Sequence, residues 1–299
     1  MCGIVGLYLK NSELEPRLGE LFCPMLAEMT DRGPDSAGIA IYRDDEQYTG
    51  KLTVYNSDPD FDWDGLAAEA GRDLGTPVSA HRVATHAVLY SDASTSDLRA
   101  WLQSNYPDVR VMSAGGALEI YKEVGLPVDV MEQFGIHAMN GTHAIGHTRM
   151  ATESAVTTEG AHPFNTGDDL CLVHNGSLSN HHWLRQWLRR HSGMTFQTEN
   201  DSEVAAAYLT WRLREGDSLS QALEAGLKDL DGFYTFAVGT RDGFSVVRDP
   251  IACKHAIMAE TDDWVAIATE YRALARLPGV KEARVWEPKP ATVYSWGRA

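Results

Sequence analysis

The sequence predicts a layered α+β fold in which the strands pair largely antiparallel. The segment after Cys2, "GIVGLYL", is rich in β-branched and aromatic residues, which favour a strand. Amphipathic helical patterns occur in the middle of the chain, and from residue 232 onward short strand-like segments follow one another to the end. Strands at both ends with helices between them are typical of sheets covered by helices. No internal repeat or low-complexity linker occurs, so we expect one continuous domain.

The first quarter of the chain predicts two strands, one helix and an irregular stretch. A strand is expected over 3–9, and apolar residues spaced three and four apart predict a helix within 13–33. A second strand is expected over 37–43. Residues 44–76 are acidic and rich in turn-forming residues, so we expect a surface excursion there, with a short helix near Leu66–Ala70.

The remaining elements follow from the same periodicities. "PVSAHRVATHAVLY" predicts one strand, "DLRAWLQSN" a helix and "DVRVMSAGGALEIYKEV" one or two strands. "HAIGHTRMAT" and "LCLVHNG" are expected to be strands that end in polar loops. "LSNHHWLRQWLRRH", "DSEVAAAYLTWRLREG" and "SLSQALEAGLKDL" predict helices, the first capped by Ser179 or Asn180. Six predicted strands end the chain: "GFYTFAVGT", "FSVVRD", "HAIMAE", "WVAIAT", "ARVWE" and "ATVYSW".

The composition argues against several classes of function. The 299 residues carry a formal net charge of −16, so no basic surface is expected for nucleic acid. No apolar run reaches the length of about 18 residues that a membrane span needs, and no signal-peptide pattern occurs, so a cytoplasmic protein is expected. The cysteines lack C-x-x-C spacing and the histidines lack H-E-x-x-H, so we expect neither a disulfide framework nor a metal site.

The cysteine at position 2 is the most informative residue. If Met1 is removed, which a small second residue permits, Cys2 carries a free α-amino group. Such an amine has a pKa of about 7.7–8, so an appreciable fraction is unprotonated at neutral pH. One residue then supplies both the nucleophile and the general base. Considered alone, a cysteine on a mobile terminus is an equal alternative, but a strand directly after Cys2 would hold the terminus in place.

Four further residues have the chemistry that acyl transfer from an amino-acid amide requires. The Asn175 amide and the Gly176 backbone N–H are suited to an oxyanion, Arg149 to a carboxylate and Asp201 to an ammonium group. Each feature has an ordinary alternative, namely an Asn-Gly turn, a salt bridge of Arg149 and a helix N-cap at Asp201. Together with Cys2 they form the set that one reaction needs, which favours the functional interpretation.

The order of the motifs resembles one family. "MCGIVGLY", "RGPDSAGIAIY", "GHTRMATES", "AHPF", "LVHNGSLSN", "DSEVAAAYL", "RDP" and "ATEYRAL" occur as in class II, or N-terminal-nucleophile (Ntn), glutamine amidotransferases. More narrowly, "GGALEIYKEVGLP" before "GTHAIGHTRMATES" resembles the stand-alone amidotransferase subunits related to the first domain of glutamate synthase, including that of N-methylglutamate synthase. The resemblance implies a four-layer αββα sandwich over residues 2–299, with an inserted subdomain at about 44–140.

The resemblance also implies a role for each matching residue. Cys2 would be the nucleophile, and Asn175 and Gly176 would form the oxyanion hole. Arg149 and Asp201 would bind the α-carboxylate and the α-ammonium of glutamine. Thr152 would line the substrate pocket, and three residues of "RGPDSAG" would support the nucleophile without reacting: Arg32, Asp35 and Ser36.

Two positions depart from the pattern of the family. Many members have tryptophan where this chain has Met150, and histidine where it has Glu153. An acidic group near a carboxylate-binding arginine would alter the affinity for glutamine unless it turns outward. The departures concern the details of the glutamine pocket and leave the reaction class unchanged.

The sequence has no Rossmann glycine fingerprint, P-loop or iron–sulfur cysteine set, so no cofactor is expected in this chain. By resemblance, the ammonia passes through an enclosed tunnel to a synthase subunit that carries a flavin and iron–sulfur centres, in a hetero-oligomer. Two alternatives remain open. One is a free-standing amidohydrolase for another γ-glutamyl amide, and the other is a non-catalytic regulatory subunit.

Overall fold

The computed structural model describes residues 2–43, 48–151 and 155–298, and within these ranges it contains sixteen strands and eight α-helices. The strands are β1 (Gly3–Leu9), β2 (Ser36–Tyr42), β3 (Gly50–Tyr55), β4 (Val78–Val83), β5 (His86–Ser91), β6 (Arg110–Gly115), β7 (Leu118–Val124), β8 (His143–Arg149), β9 (Phe164–Gly167), β10 (Leu170–Leu178), β11 (Gly232–Thr240), β12 (Gly243–Arg248), β13 (Ile257–Glu260), β14 (Trp264–Ala268), β15 (Arg284–Trp286) and β16 (Val293–Gly297). The α-helices are α1 (Leu18–Ala27), α2 (Trp63–Leu74), α3 (Thr95–Asn105), α4 (Pro127–Gln133), α5 (His181–Ser192), α6 (Asp201–Arg214), α7 (Leu219–Asp229) and α8 (Tyr271–Leu274).

The strands form three sheets in which every described pairing is antiparallel. A seven-stranded sheet has the order β15-β13-β14-β1-β8-β2-β7, and a five-stranded sheet has the order β16-β12-β11-β10-β9. A smaller four-stranded sheet has the order β4-β5-β3-β6. The predicted antiparallel pairing is therefore confirmed.

Three hydrophobic cores separate four layers. Phe22 of α1 and Leu274 of α8 belong to a core on one face of the seven-stranded sheet. Ile145 and Phe244 belong to a second core between the two large sheets. Val204 of α6 belongs to a third, which joins the five-stranded sheet to α5, α6 and α7. This helix–sheet–sheet–helix order confirms the predicted αββα sandwich.

Side chains alternate between the two faces along each central strand. In β1, Ile4 and Tyr8 face the second large sheet, whereas Val5 packs against α1. In β10, Val173 faces the first large sheet, whereas Leu172 packs against the helices of the opposite layer. The alternation fixes which polar side chains of β1 and β10 meet between the sheets.

The structure corrects three predictions between residues 44 and 90. Residues 50–55, expected to be surface excursion, form the buried strand β3 between β5 and β6, and the helix expected near Leu66–Ala70 extends over Trp63–Leu74. The single strand expected over 77–90 is a hairpin of two strands. Acidic and turn-forming neighbours concealed the β-branched pattern of "GKLTVY", which its sheet partners bury.

The helix expected within 13–33 is divided by the structure. A 3₁₀ turn over Ser12–Arg17 precedes α1, and a second one over Thr30–Arg32 follows it. Pro16 lies inside the first turn, where its ring prevents a regular α-helical hydrogen bond. The inserted subdomain at about 44–140 stays a prediction. The strands of this range belong to two sheets, since β3 to β6 form the four-stranded sheet and β7 is the edge strand of the seven-stranded sheet. Within the described ranges, no helix combines the length and hydropathy needed to span a bilayer.

Candidate active site

A cavity of about 860 Å³ lies where β8, β10 and the start of α6 come together. Five residues singled out by the sequence line this cavity: Cys2, Arg149, Asn175, Gly176 and Asp201. Strand alternation explains part of this convergence. Cys2 precedes β1 with the parity of Ile4, and Asn175 has the parity of Val173, so both side chains face the space between the sheets.

The backbone around Cys2 is held on both sides. Its carbonyl oxygen accepts hydrogen bonds from Arg32 Nε at 3.3 Å and from Asn175 Nδ2 at 3.2 Å. Two residues after Cys2, Ile4 of β1 forms hydrogen bonds with Thr269, including a 2.8 Å bond from the Ile4 N–H to the Thr269 hydroxyl. The half-buried thiol of Cys2 lies 3.9 Å from the carbonyl oxygen of Met150. The backbone of Cys2 is therefore held in place next to β1.

Asn175 and Gly176 lie near the end of β10, paired with β11. The side chain of Asn175 is only 4% exposed, and its amide carries two N–H donors, of which one is used by the Cys2 carbonyl. Gly176 has φ +156°, and a Cβ there would approach the carbonyl oxygen of Phe233 to 2.0 Å. Only glycine fits at this position, because a side chain would collide with the neighbouring strand.

Arg149 ends β8 with its side chain almost entirely buried, at 6% exposure. Its Nη1 donates to the carbonyl oxygen of Ala155 at 3.1 Å. Asp35 holds the adjoining backbone, since its N–H donates to the Arg149 carbonyl and its Oδ2 accepts from the Ala151 N–H at 2.8 Å. Asp35 thus fixes the end of β8 from outside the cavity.

Asp201 is the first residue of α6, and the N-cap is the preceding Asn200, whose side chain accepts from the Ser202 N–H at 2.9 Å. The Oδ2 atom of Asp201 accepts from the Leu178 N–H at 2.9 Å, and its side chain remains 20% exposed. A carboxylate at a helix N-terminus is stabilised by the partial positive charge of the helix dipole. Arg149 and Asp201 therefore place opposite charges on the wall of one cavity.

The remaining predicted residues have different positions. Arg32 does not line the cavity but pairs with Glu270 at 2.6 Å, and this contact lowers the pKa of Glu270. Ser36 is fully buried, and its hydroxyl has no hydrogen-bond partner among the described residues. Thr152 and Glu153 lie outside the described residues, as does Met1, so their predicted roles stay predictions.

Sequence reasoning did not single out three polar residues of the cavity wall: His162, His174 and Ser202. Burial lowers the pKa of both imidazoles, and for His174 the nearby Asp201 charge opposes this effect. Both rings are therefore neutral at pH 7. The motifs "AHPF", "LVHNG" and "DSEV" contain these three residues, but the sequence alone does not indicate that their side chains contact one another.

No group of three or more histidine, cysteine or acidic side chains suited to a metal ion occurs among residues 2–43, 48–151 and 155–298. His143 and His147 are buried in β8, and burial lowers the pKa of each to about 3. Each ring bonds a backbone carbonyl, that of Thr240 for His143 and that of His174 for His147.

Comparisons with known proteins find relatives that match nearly the whole chain. A family model described as a glutamine amidotransferase domain matches residues 147–276. The chain is 58% identical to a glutamine amidotransferase-like protein, GlxB, of Rhizobium meliloti, over 99% of this chain and 98% of that protein. It is 32% identical to a putative glutamine amidotransferase of Methanothermobacter thermautotrophicus, over 98% of this chain and 99% of that protein.

Two solved structures share the fold. Glutamine phosphoribosylpyrophosphate amidotransferase from B. subtilis, complexed with ADP and GMP, superposes with a TM-score of 0.61 at 21% identity, over 99% of this chain and 49% of that one. A second structure, described as the allosteric regulatory enzyme of purine biosynthesis, gives a TM-score of 0.63 at 21% identity, over 99% of this chain and 47% of that one. The chain spans about half the length of these two proteins. With relatives matched over nearly their whole length, this chain belongs to the class II glutamine amidotransferases.

Proposed function

We propose that this chain hydrolyses the side-chain amide of glutamine at Cys2 and that the ammonia is delivered to a synthase partner. One observation carries the first part. The Asn175 amide lies 3.2 Å from the Cys2 carbonyl, in a cavity whose wall also holds Arg149 and Asp201. A nucleophile, an oxyanion donor and a pair of opposite charges are what a zwitterionic amide substrate requires.

The proposed reaction uses Cys2 as both nucleophile and base after loss of Met1. The α-amine takes the thiol proton, and the sulfur attacks the amide carbon of glutamine. The second N–H of the Asn175 amide and the backbone N–H of Gly176 stabilise the resulting oxyanion. The α-ammonium returns the proton to the leaving nitrogen, so ammonia departs and a γ-glutamyl thioester remains. Water then attacks the thioester, which releases glutamate and regenerates the thiol.

Substrate binding in this proposal depends on the two charged residues. The planar guanidinium of Arg149 pairs with the α-carboxylate of glutamine, and the carboxylate of Asp201 binds the α-ammonium. By resemblance, the proposal also assigns Thr152, which lies outside the described residues, a role in binding glutamine. Arg32 and Asp35 act by position, since one holds the Cys2 carbonyl and the other holds the backbone after β8.

The destination of the ammonia is the second part of the proposal. We infer a partner similar to glutamate synthase or N-methylglutamate synthase, with a flavin and iron–sulfur centres, and no cofactor in this chain. This inference rests on the resemblance of "GGALEIYKEVGLP" and "GTHAIGHTRMATES" to the subunits of such enzymes. Purification with untagged neighbouring proteins, with cofactor absorbance recorded, tests it. A glutaminase that stays fully active alone, and gains nothing from such a synthase, would point to the free-standing amidohydrolase.

The hydrolytic part is tested by Cys2→Ala. We expect glutaminase activity to fall to background, because the substitution removes the nucleophilic thiol. The circular dichroism spectrum and Tm should stay unchanged, because the strand that follows Cys2 is not altered. Cys253→Ala, which removes an exposed cysteine, is the matched control and should keep full activity. Intact mass of the active protein should show loss of Met1. Substantial glutaminase activity in Cys2→Ala would overturn the proposal.

A further inference from the structure

The buried hydroxyl of Ser202, in the first turn of α6, bonds polar side chains from other segments of the cavity wall. Ser202 is 1% exposed, and its Oγ has three polar neighbours: His162 Nε2 at 2.8 Å, His174 Nδ1 at 2.9 Å and Asp201 Oδ1 at 3.3 Å. Within the described part of the chain, Ser202 is the only residue whose hydroxyl forms a hydrogen bond with either imidazole. None of the roles proposed above uses Ser202 or the two histidines.

The number of protons in this cluster decides the direction of each hydrogen bond. The Asp201 carboxylate only accepts, and Ser202 has a single hydroxyl proton. With both imidazoles neutral, the consistent arrangement has Ser202 donating to Asp201 and accepting an N–H from each of His162 and His174. The lone pairs of the hydroxyl oxygen accommodate both donors.

The unpaired nitrogens agree with this arrangement. His162 Nδ1 and His174 Nε2 have no hydrogen-bond partner among the described residues, and the arrangement leaves both of them without a proton. If Ser202 instead donated its proton to one of the imidazoles, that ring would carry its own proton on the nitrogen that has no partner. Unpaired buried donors are rarer than unpaired buried acceptors. Each histidine is therefore fixed in one tautomer, with the proton on Nε2 of His162 and on Nδ1 of His174.

The cluster holds Asp201 at both oxygens. Its Oδ1 accepts from Ser202 and its Oδ2 from the Leu178 N–H at 2.9 Å, so the carboxylate has little freedom to rotate. An ionised carboxylate has about four acceptor positions, and the protein uses two of them. The side chain is 20% exposed, so the remaining positions are available to a cation in the cavity.

We propose that Ser202 is a positioning residue, whose hydroxyl receives two N–H groups from His162 and His174 and holds Asp201 for the α-ammonium of glutamine. This proposal rests on the function proposed above, in which Asp201 binds that group. Ser202 itself does not touch the substrate. The ring of His174 also lies close to Gly176, one of the two proposed oxyanion donors, because a Cβ on Gly176 would stand 2.7 Å from His174 Nε2. Substitution of His174 would disturb both regions, which makes Ser202 the cleaner position to test.

The experiment compares two ligands that differ by one group. Glutaramate has the amide and the carboxylate of glutamine but lacks the α-ammonium, and it serves as an alternative substrate or as a competitive inhibitor. In Ser202→Ala we expect the KM for glutamine to rise about tenfold, since a hydrogen bond to a charged group is lost. The kcat for glutamine and the KM or Ki for glutaramate should change less than about twofold. Ser202→Thr, which keeps the hydroxyl, should restore most of the affinity for glutamine.

Equal losses for both ligands in Ser202→Ala would overturn the inference and leave the proposed function intact. Glutaminase activity in Cys2→Ala would instead overturn the proposed function itself. Ser245→Ala is the matched control, because that buried hydroxyl bonds Ser295 on β16 and does not line the cavity. We expect its KM for both ligands to equal that of the unmodified protein.

A second measurement needs no substitution at Ser202. In ¹⁵N-histidine-labelled protein, long-range ¹H–¹⁵N correlation spectra distinguish the two neutral tautomers. The inference requires the Nε2–H form for His162 and the Nδ1–H form for His174, with signals assigned from single histidine substitutions. An Nε2–H tautomer or an imidazolium at His174 at pH 7 would overturn it, even if Ser202→Ala fails to fold.

Discussion

The side-chain nitrogen of Asn175 lies 3.2 Å from the carbonyl oxygen of Cys2, although 173 residues separate them in the chain. This contact joins the two large sheets at the site and ties the proposed oxyanion donor to the backbone of the proposed nucleophile. The position of one group therefore depends on that of the other.

Substitution of Asn175 by alanine tests this relationship. In Asn175→Ala we expect kcat for glutamine to fall about 10²–10³-fold with little change in KM, because the donor acts on the transition state more than on bound substrate. Steady-state kinetics with coupled glutamate detection measures both constants. Asn180→Ala is the control, since Asn180 bonds the Asp229 carbonyl outside the cavity. A kcat for Asn175→Ala within threefold of the unmodified value would contradict the assignment.

The four cysteines should differ sharply in reactivity. Burial raises the pKa of the Cys23 and Cys171 thiols to about 12, and the thiolate is the reactive form. At pH 7.5 we expect brief iodoacetamide treatment to modify Cys2 and Cys253 only. Peptide mass spectrometry identifies the modified sites.

A sample unfolded in guanidinium chloride before labelling is the control for this experiment, and all four cysteines should react there. Prior treatment with a glutamine-analogue diazo-ketone should protect Cys2 and leave Cys253 reactive. Modification of Cys171 in the folded protein would show that the sheet interior is more open than the structure indicates.

A buried lysine should give the stability of the protein a defined pH dependence. The ammonium of Lys122 contacts the carbonyl oxygens of Glu159, Ala161 and Pro163 at 3.0, 2.9 and 3.3 Å. Burial lowers its pKa from 10.5 to about 8, against the opposing charges of Glu203 and Glu159. Between about pH 8 and pH 10.5 the unfolded chain therefore binds more protons at this position than the folded one.

The free energy of unfolding should accordingly gain a contribution that rises with pH across that window, by up to about 3 kcal/mol. Urea unfolding at several pH values measures this slope. In Lys122→Met the contribution should vanish, whereas Lys228→Met, at an exposed position on α7, should leave the slope unchanged. An identical slope in Lys122→Met and the unmodified protein would contradict the prediction.

Much of the fold follows from the sequence because the determining patterns are local. The strand after Cys2 and the helices α5, α6 and α7 have periodicities that their own segments display. The prediction failed for β3, since its burial comes from β5 and β6 and its acidic, turn-rich neighbours outweighed the short strand-forming run "TVY". Tertiary pairing overrides local composition in such cases.

The candidate site also has features that the sequence indicated and features that only the structure shows. The sequence indicated Cys2, Arg149, Asn175, Gly176 and Asp201 from their residue types and neighbours, and the structure brings all five to one cavity. The tethering of the Cys2 backbone by Asn175 was not foreseen. It follows from two sheets packing face to face, which the motifs do not specify.

The sequence by itself determined which residues are able to carry the proposed chemistry, because nucleophilicity, charge and the permissive backbone of glycine are properties of the residue type. Only the tertiary structure decided how these residues act together. The Ser202 hydroxyl binds His162, His174 and Asp201 from separate segments, and the direction of each bond depends on burial, which keeps both imidazoles neutral. Burial and hydrogen-bond partners are set by the packing of distant strands and helices, so no local pattern could reveal them.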